Sequence, residues 1–248
     1  MRPTQTRIAI MLGFLALIAL GIAGTRLLHF PPGAPIQKPQ KAPIHIPETI
    51  TEKLQNSDKD IYTEVNVDYA FTKSLDAMLK KCDIVVRGRP VKLTCIPCQD
   101  DTRVCTQVRF KVHKILWGSI PIDRHGVEIV SPYSPEKVKL HDLADDEISI
   151  IEQGGEFSVS GRRVKTLIIG QKYLRLGKEY VVFLHWRTPV GRYGNNYVTY
   201  SGNVGVMELD GDRLISWDDG SVEKDVRTNF RNSLELLEAH LHKLRGSN

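Results

Sequence analysis

The sequence predicts a mainly β domain: a small antiparallel barrel with a short leading helix and a longer amphipathic closing helix, preceded by one transmembrane helix. Three observations carry this reading. Short β-rich apolar segments recur between residues 83 and 217, and from Val104 to Val112 they alternate strictly with period two, the mark of a half-buried strand. Apolar residues then recur at three- and four-residue spacing from Val222 to Leu244, the mark of a helix with one buried face. Ahead of both, Ile8 to Gly24 forms 17 residues without a charge, preceded by Arg2 and Arg7.

Taken in chain order, the uncharged run sits at the lower limit of length for crossing a bilayer, and Leu27, Leu28 and Phe30 extend its apolar character past Arg26. Residues 1–29 therefore read as a membrane anchor through residues 8–24. A signal segment cleaved near Gly21-Ile22-Ala23 is the alternative. The flanking arginines favour an inside N-terminus, which places the remainder of the chain outside the cytoplasm: on the cell membrane as a single-pass protein, or secreted if the segment is removed. Residues 30–60 read as a flexible linker. Six prolines between Phe30 and Pro47 favour an extended spacer, because each fixes φ and removes a donor. Residues 48–60 are polar and expected to be poorly ordered.

The folded domain is expected at 61–248. Thr72 or Ser74 is placed to cap a short helix with an apolar stripe of Leu75, Met78 and Leu79. Asp83–Leu93 is β-rich. Val104, Thr106, Val108, Phe110 and Val112 share one face of a strand. Val127–Ser131 is a shorter strand, and Thr166–Gly170 and Tyr180–Trp186 are apolar enough to be central. Tyr197–Ser201 and Val204–Leu209 read as a pair turning at Gly202-Asn203, and Asp210-Gly211 signals a hairpin into Arg213–Trp217. One helix capped by Ser221 closes the chain. Mostly antiparallel strands with helical flanks point to a small barrel.

Composition bounds the function. Hydrophobic residues make up 41% and charged residues 25%, a globular balance. The net charge of +5 is unevenly placed: residues 1–60 carry seven Lys/Arg against four Asp/Glu, and the rest of the chain 27 against 25. A domain so nearly neutral lacks the basic stripe that phosphate neutralisation demands, so nucleic acid is disfavoured as a partner.

Four stretches together suggest a family: Ser74–Gly88, with Asp83-Ile-Val-Val-Arg-Gly88 at its end; Val108–Gly118; Leu176–Leu184, with Gly177-Lys-Glu-Tyr-Val-Val-Phe-Leu184; and Gly202–Gly211. Their succession resembles the netrin-like class of extracytoplasmic OB-fold proteins, which includes the tissue inhibitors of metalloproteinases, and similar secreted or membrane-anchored bacterial proteins. The resemblance implies an OB-like barrel over about residues 74–211. It does not imply inhibition, because those inhibitors act through a Cys at the mature N-terminus and here no Cys precedes Cys82. Between Ser131 and Arg163 lies an insertion-like stretch that matches no part of the pattern.

The residues that could carry chemistry are few. Cys82, Cys95, Cys98 and Cys105 read as disulfide candidates in an oxidising compartment. Cys95–Cys105 and Cys98–Cys105 both fit a bridge across one hairpin loop, whereas Cys82 lies a strand away. The sharper reading of Cys95-Ile-Pro-Cys98 is a metal or thiol-redox site. Zinc would want further ligands at matching spacing, however, and a thioredoxin-like pair belongs at a helix N-terminus. His240 and His242, two apart on a helix, point to different faces and read as solvated. No zinc-protease, nucleophile-elbow or phosphate-cradle motif occurs. The least bland stretch is 185–200, where Trp186, Arg187, Arg192, Tyr193, Tyr197 and Tyr200 gather aromatic and basic groups as a candidate binding site. The expectation is a membrane-tethered, non-catalytic interaction or scaffold domain with a protein partner, no cofactor and no metal. An OB-type oligonucleotide or polysaccharide module and a Cys-based metal or redox protein are the alternatives.

Overall fold

The computed structural model describes residues 48–67, 72–129, 140–187, 196–218 and 220–245. The anchor and the proline-rich spacer lie outside them. Among the described residues no helix is long and apolar enough to cross a membrane.

The alternating segments form a ring of strands. β2 (Ile84–Pro97) pairs antiparallel with β3 (Val104–Trp117), and β3 with β6 (Glu147–Gln153). On its other side β2 pairs with β9 (Glu179–Arg187), whose C-terminal half pairs with β10 (Asn196–Thr199). A parallel contact between Tyr197 of β10 and Ile150 of β6 brings the two ends together. The circuit β2–β3–β6–β10–β9 is thus a partly closed ring, with β11 and β12 continuing the sheet beyond β9. Period-two alternation fills both sides of it. On β9, Tyr180, Val182 and Leu184 point into the interior with Val108, Phe110, Ile148 and Ile150. Val181 and Phe183 point outward beneath the helices.

That outer layer is α2 (Leu75–Leu79), α3 (Ser221–Phe230) and α4 (Leu234–Arg245). Ser74 is the cap of α2, its hydroxyl accepting from the Ala77 amide. Leu75, Met78, Val222, Val226, Phe230, Leu234, Leu237 and Leu241 are all buried against the ring. Each such side chain contributes roughly 1.5–3 kcal/mol relative to exposure. The expected single closing helix is two. Arg231 and Asn232 both take left-handed backbone, with φ of 51° and 55°. The break is held by backbone bonds to the neighbouring β12 (Arg213–Ser216) and the turn before it: Leu214 donates to the Asn232 carbonyl at 2.8 Å and Leu234 to the Asp212 carbonyl at 3.0 Å. The cap of α3 is also not Ser221, which lies inside the helix. Instead Asp218 Oδ2 accepts from the Val222 and Glu223 amides.

Two other expectations are corrected. Tyr197–Ser201 and Val204–Leu209 do not face each other as a hairpin. β10 and β11 (Val206–Asp210) lie end to end along β9: Thr199 opposes Leu184, and Val206 opposes Val182. A 3-10 turn, Gly202–Gly205, buckles out between them. Gly205 is required there, since a Cβ would stand 2.6 Å from the Tyr200 carbonyl oxygen and 3.0 Å from that of Phe183. The hairpin at Asp210-Gly211 does form, pairing β11 with β12.

The stretch 48–60, expected to be poorly ordered, holds α1 (Ile50–Asn56), started by a capping box in which Thr49 and Glu52 satisfy each other's amides. Ile50 and Leu54 pack with Ile61, Val104, Val164 and Phe157 in a small separate core. This core underlies a three-stranded sheet of β1 (Ile61–Val65), β8 (Arg162–Ile168) and β7 (Gly155–Val159), with β8 in the centre. The unassigned stretch 131–163 supplies β5 (Leu140–Asp142), which pairs with β4 (Val127–Ile129), and the ring strand β6.

Candidate functional site

At the end of the ring where β9 finishes, Trp186 is half-buried and sets its ring edge-on to Tyr197, centroids 4.8 Å apart. The Arg124 guanidinium, carried by the loop after β3, stands over the Trp186 ring at 5.8 Å, within cation–π range. Asp83 seals the strand end: its carboxylate accepts from the Trp186 backbone amide at 2.8 Å and lies 3.4 Å from His185 Nδ1. Tyr197 is buried, and burial pushes its phenol up to about 12. Arg124 pulls the other way, while Asp83 and Asp123 add to the rise. The phenol therefore stays protonated. Beside this group Ile122 is 97% exposed at the loop tip, and Arg187 is exposed at the strand end. The arrangement offers an aromatic face, two cations and an apolar tip. Among the described residues here no nucleophile stands beside an attendant base.

Of the six residues named from sequence, the structure brings together Trp186 and Tyr197, with Arg187 at their margin. Tyr200 is separated from them: it points to the helical side, where Thr72 donates to its hydroxyl at 3.2 Å and His185 packs on its ring. Arg192 and Tyr193 lie outside the described residues. Sequence reasoning missed Arg124 and Asp83. Asp83 opens the Asp83–Gly88 motif, whose two ends now have physical reasons. Asp83 caps the end of β9, and a side chain at Gly88 would collide with the Lys111 carbonyl and the Phe110 ring.

The cysteines resolve into one bridge and two thiols. Cys98 is bonded to Cys105. Cys95 pairs in register with Thr106, and Ile96 with Cys105, so the Cys95 thiol lies on the opposite face of the hairpin and cannot bridge Cys105. Cys95 and Cys98 accordingly do not form a dithiol couple. Cys82 is buried beneath α2, and burial pushes its thiol up to about 12. Among the described residues no three His, Cys, Asp or Glu side chains gather as a metal site. His240, expected on a solvated face, instead bonds Asp76 at 2.9 Å and packs edge-on against Phe230.

The outer face of β3 and β6 is occupied. Glu128, from β4, binds both Lys92 and Arg109; Arg109 also meets Glu147 at 3.0 Å, and Lys111 meets Asp146 at 2.9 Å. The Lys92 bond, with Arg109, holds the Glu128 carboxyl below the usual range, and the Lys111 bond does the same for Asp146.

Comparison with protein-family models, with curated proteins and with solved structures finds no match to the chain.

Proposed function

We propose that the chain is a membrane-tethered, non-catalytic interaction domain on the extracytoplasmic side, built on an OB-like barrel of the netrin-like kind, and that it meets a protein partner through the Trp186–Arg124 end of the ring. The observation that carries the reading is the polarity of the fold. The described chain enters beside the tip of the β2–β3 hairpin, where Ile50 donates to the Asp101 carbonyl and Thr51 binds the Asp101 carboxylate. Trp186, Arg124 and Ile122 stand at the opposite end of the same two strands. Each of these strands is 14 residues long, about 45 Å if straight. An aromatic, basic and apolar cluster exposed at that end of the strands suits recognition of a partner. Trp, Tyr and Arg are also the residues that most often carry interface energy.

The OB-like assignment is supported by the strand circuit. Three neighbouring antiparallel strands (β2, β3, β6) and a second pair (β9, β10) meet through one parallel contact, an order that agrees with the Greek-key barrel expected of that fold. The Cys98–Cys105 bridge supports an oxidising compartment. The nucleic-acid alternative loses ground on the same geometry. The face that OB modules offer to strands corresponds to β3 and β6, and here β4 covers it while carboxylates bind its cations. The redox alternative loses ground because Cys95 and Cys98 face apart.

Affinity capture from detergent-solubilised membranes, comparing the full chain with Arg124→Ala/Arg187→Ala, tests the proposal. Both side chains are exposed, so the variant keeps the fold. The reading predicts a recurrent protein partner whose yield falls at least tenfold with the variant. Capture that is equal for both, or that repeatedly returns nothing, contradicts it.

A further inference from the structure

The mouth of the ring opposite Trp186 is closed by a crossing segment. Residues 169–178 pass over it between β8 and β9, and Leu174 reaches down into the interior core. Asn203, on the turn between β10 and β11, holds the start of the crossing, accepting from the Lys172 amide at 2.9 Å and donating to the Gly170 carbonyl at 2.8 Å. Two side chains of the ring hold the rest of it by its backbone. Both carboxyl oxygens of Glu152 share the Leu174 amide at 3.4 Å, and the Tyr180 hydroxyl accepts from the Arg175 amide at 3.1 Å. Glu152 continues the interior face of Ile148 and Ile150 on β6 and is 3% exposed. It stands in a cross-strand row with Thr106 of β3 and Cys95 of β2.

The groups around Glu152 offer little to a charge. From β3 it faces Thr106, whose hydroxyl donates to the Gly154 carbonyl at 2.8 Å. From β2 comes the Cys95 thiol. The crossing contributes the Leu174 amide and Tyr173, whose buried hydroxyl rests on Gly154 without a well-formed hydrogen bond. From β9 comes the phenol of Tyr180. Among the described residues no cation acts on the carboxyl, so a carboxylate there would be buried with half of one amide per oxygen.

We infer that residues 173–178 are a latch over the ring, hinged where Asn203 holds Gly170 and Lys172, held shut by the uncharged Glu152 carboxyl and released when that carboxyl ionises. The uncharged acid accepts the Leu174 amide with no charge to desolvate. The carboxylate gains water by letting the crossing lift. Burial pushes Glu152 up to about 8 from 4.5 in the closed state, with the Leu174 amide offsetting part of the rise. The sign follows from the linkage of closure to proton binding. A raised closed-state value means that closure is strongest below about 4.5. It weakens by up to tenfold per pH unit up to about 8 and is flat above that. Opening would withdraw Leu174 and uncover an apolar mouth lined by Val108 and Tyr180.

The crossing carries its own reporters, since Lys172, Arg175 and Lys178 are exposed trypsin sites. The test is limited trypsin digestion of the purified full-length protein from pH 6 to 9, with rates normalised to an unstructured peptide and cuts located by mass spectrometry. Cleavage after Lys172 or Arg175 should rise at least tenfold between pH 6 and 8 and then level, while sites within β3 stay protected. Glu152→Gln, which keeps the shape and the acceptor, should abolish the rise. Tyr180→Phe, which removes only the second clasp, should raise cleavage at every pH and leave the slope. A flat wild-type profile, or a slope that survives Glu152→Gln, overturns the latch. So does a slope lost in Tyr180→Phe, the arm that still decides the question if Glu152→Gln is cut throughout and has therefore unfolded.

Discussion

Cys98 and Cys105 show how much one residue's direction decides. Three cysteines lie within eleven positions of one hairpin, and spacing alone leaves two pairings open. The pleat settles it: Cys95 opposes Thr106, so its side chain leaves the sheet on the face away from Cys105. Closing a loop of about eight residues stabilises by roughly 2–3 kcal/mol through the entropy removed from the unfolded chain. Urea unfolding of Cys98→Ala/Cys105→Ala should therefore show that loss, whereas Cys95→Ser should unfold within about 0.5 kcal/mol of the wild type. The reverse ranking would assign the bridge to the wrong pair. Trp186 teaches a related lesson. Its aromatic and basic neighbours mark it in the sequence, but the cation that reaches its ring is Arg124, some 60 positions earlier on another loop.

At the scale of elements, the errors share a cause. The spacing from Val222 to Leu244 is unbroken, and no Gly or Pro marks positions 231–233, so one helix is the natural reading of the sequence. The break exists because β12 and the turn before it offer backbone partners to Asn232 and Leu234, a tertiary gain that local propensity does not encode. Gly202-Asn203 reads as a hairpin turn because such residues favour turns. The turn is real, but it buckles a strand line rather than reversing it. That distinction rests on Gly205, whose missing Cβ lets the chain press against Tyr200 and Phe183. Gly205→Ala should cost on the order of 2–4 kcal/mol in thermal or urea unfolding, because the colliding atoms are backbone and cannot rotate away. A cost below about 0.5 kcal/mol would mean that the buckle is loose.

For the whole molecule, the β class, the strands alternating between core and surface, the short leading helix and the apolar face of the closing helices were legible, because period two and period 3.6 survive in the residues that face the ring. β6 was not legible, although Ile148 and Ile150 lie in the ring interior. The strand carries Glu152 where an apolar residue would continue the pattern, and it sits in a stretch that matched no motif. The covering of the β3–β6 face was equally hidden, since Glu128 and Arg109 are ordinary surface residues until topology places them together. The candidate site was half legible: Trp186 and Tyr197 meet, and Tyr200 turns to the other side of the sheet.

The claim on which the proposed role depends is that this domain stands outside the cytoplasm on a retained anchor. The direct measurement is protease accessibility in cells whose cytoplasmic membrane is exposed but intact, joined to carbonate extraction of the membranes. The account predicts a chain that sediments with carbonate-washed membranes and is digested from outside down to a fragment of its N-terminal segment. A chain that stays protected until the membrane is lysed would contradict it.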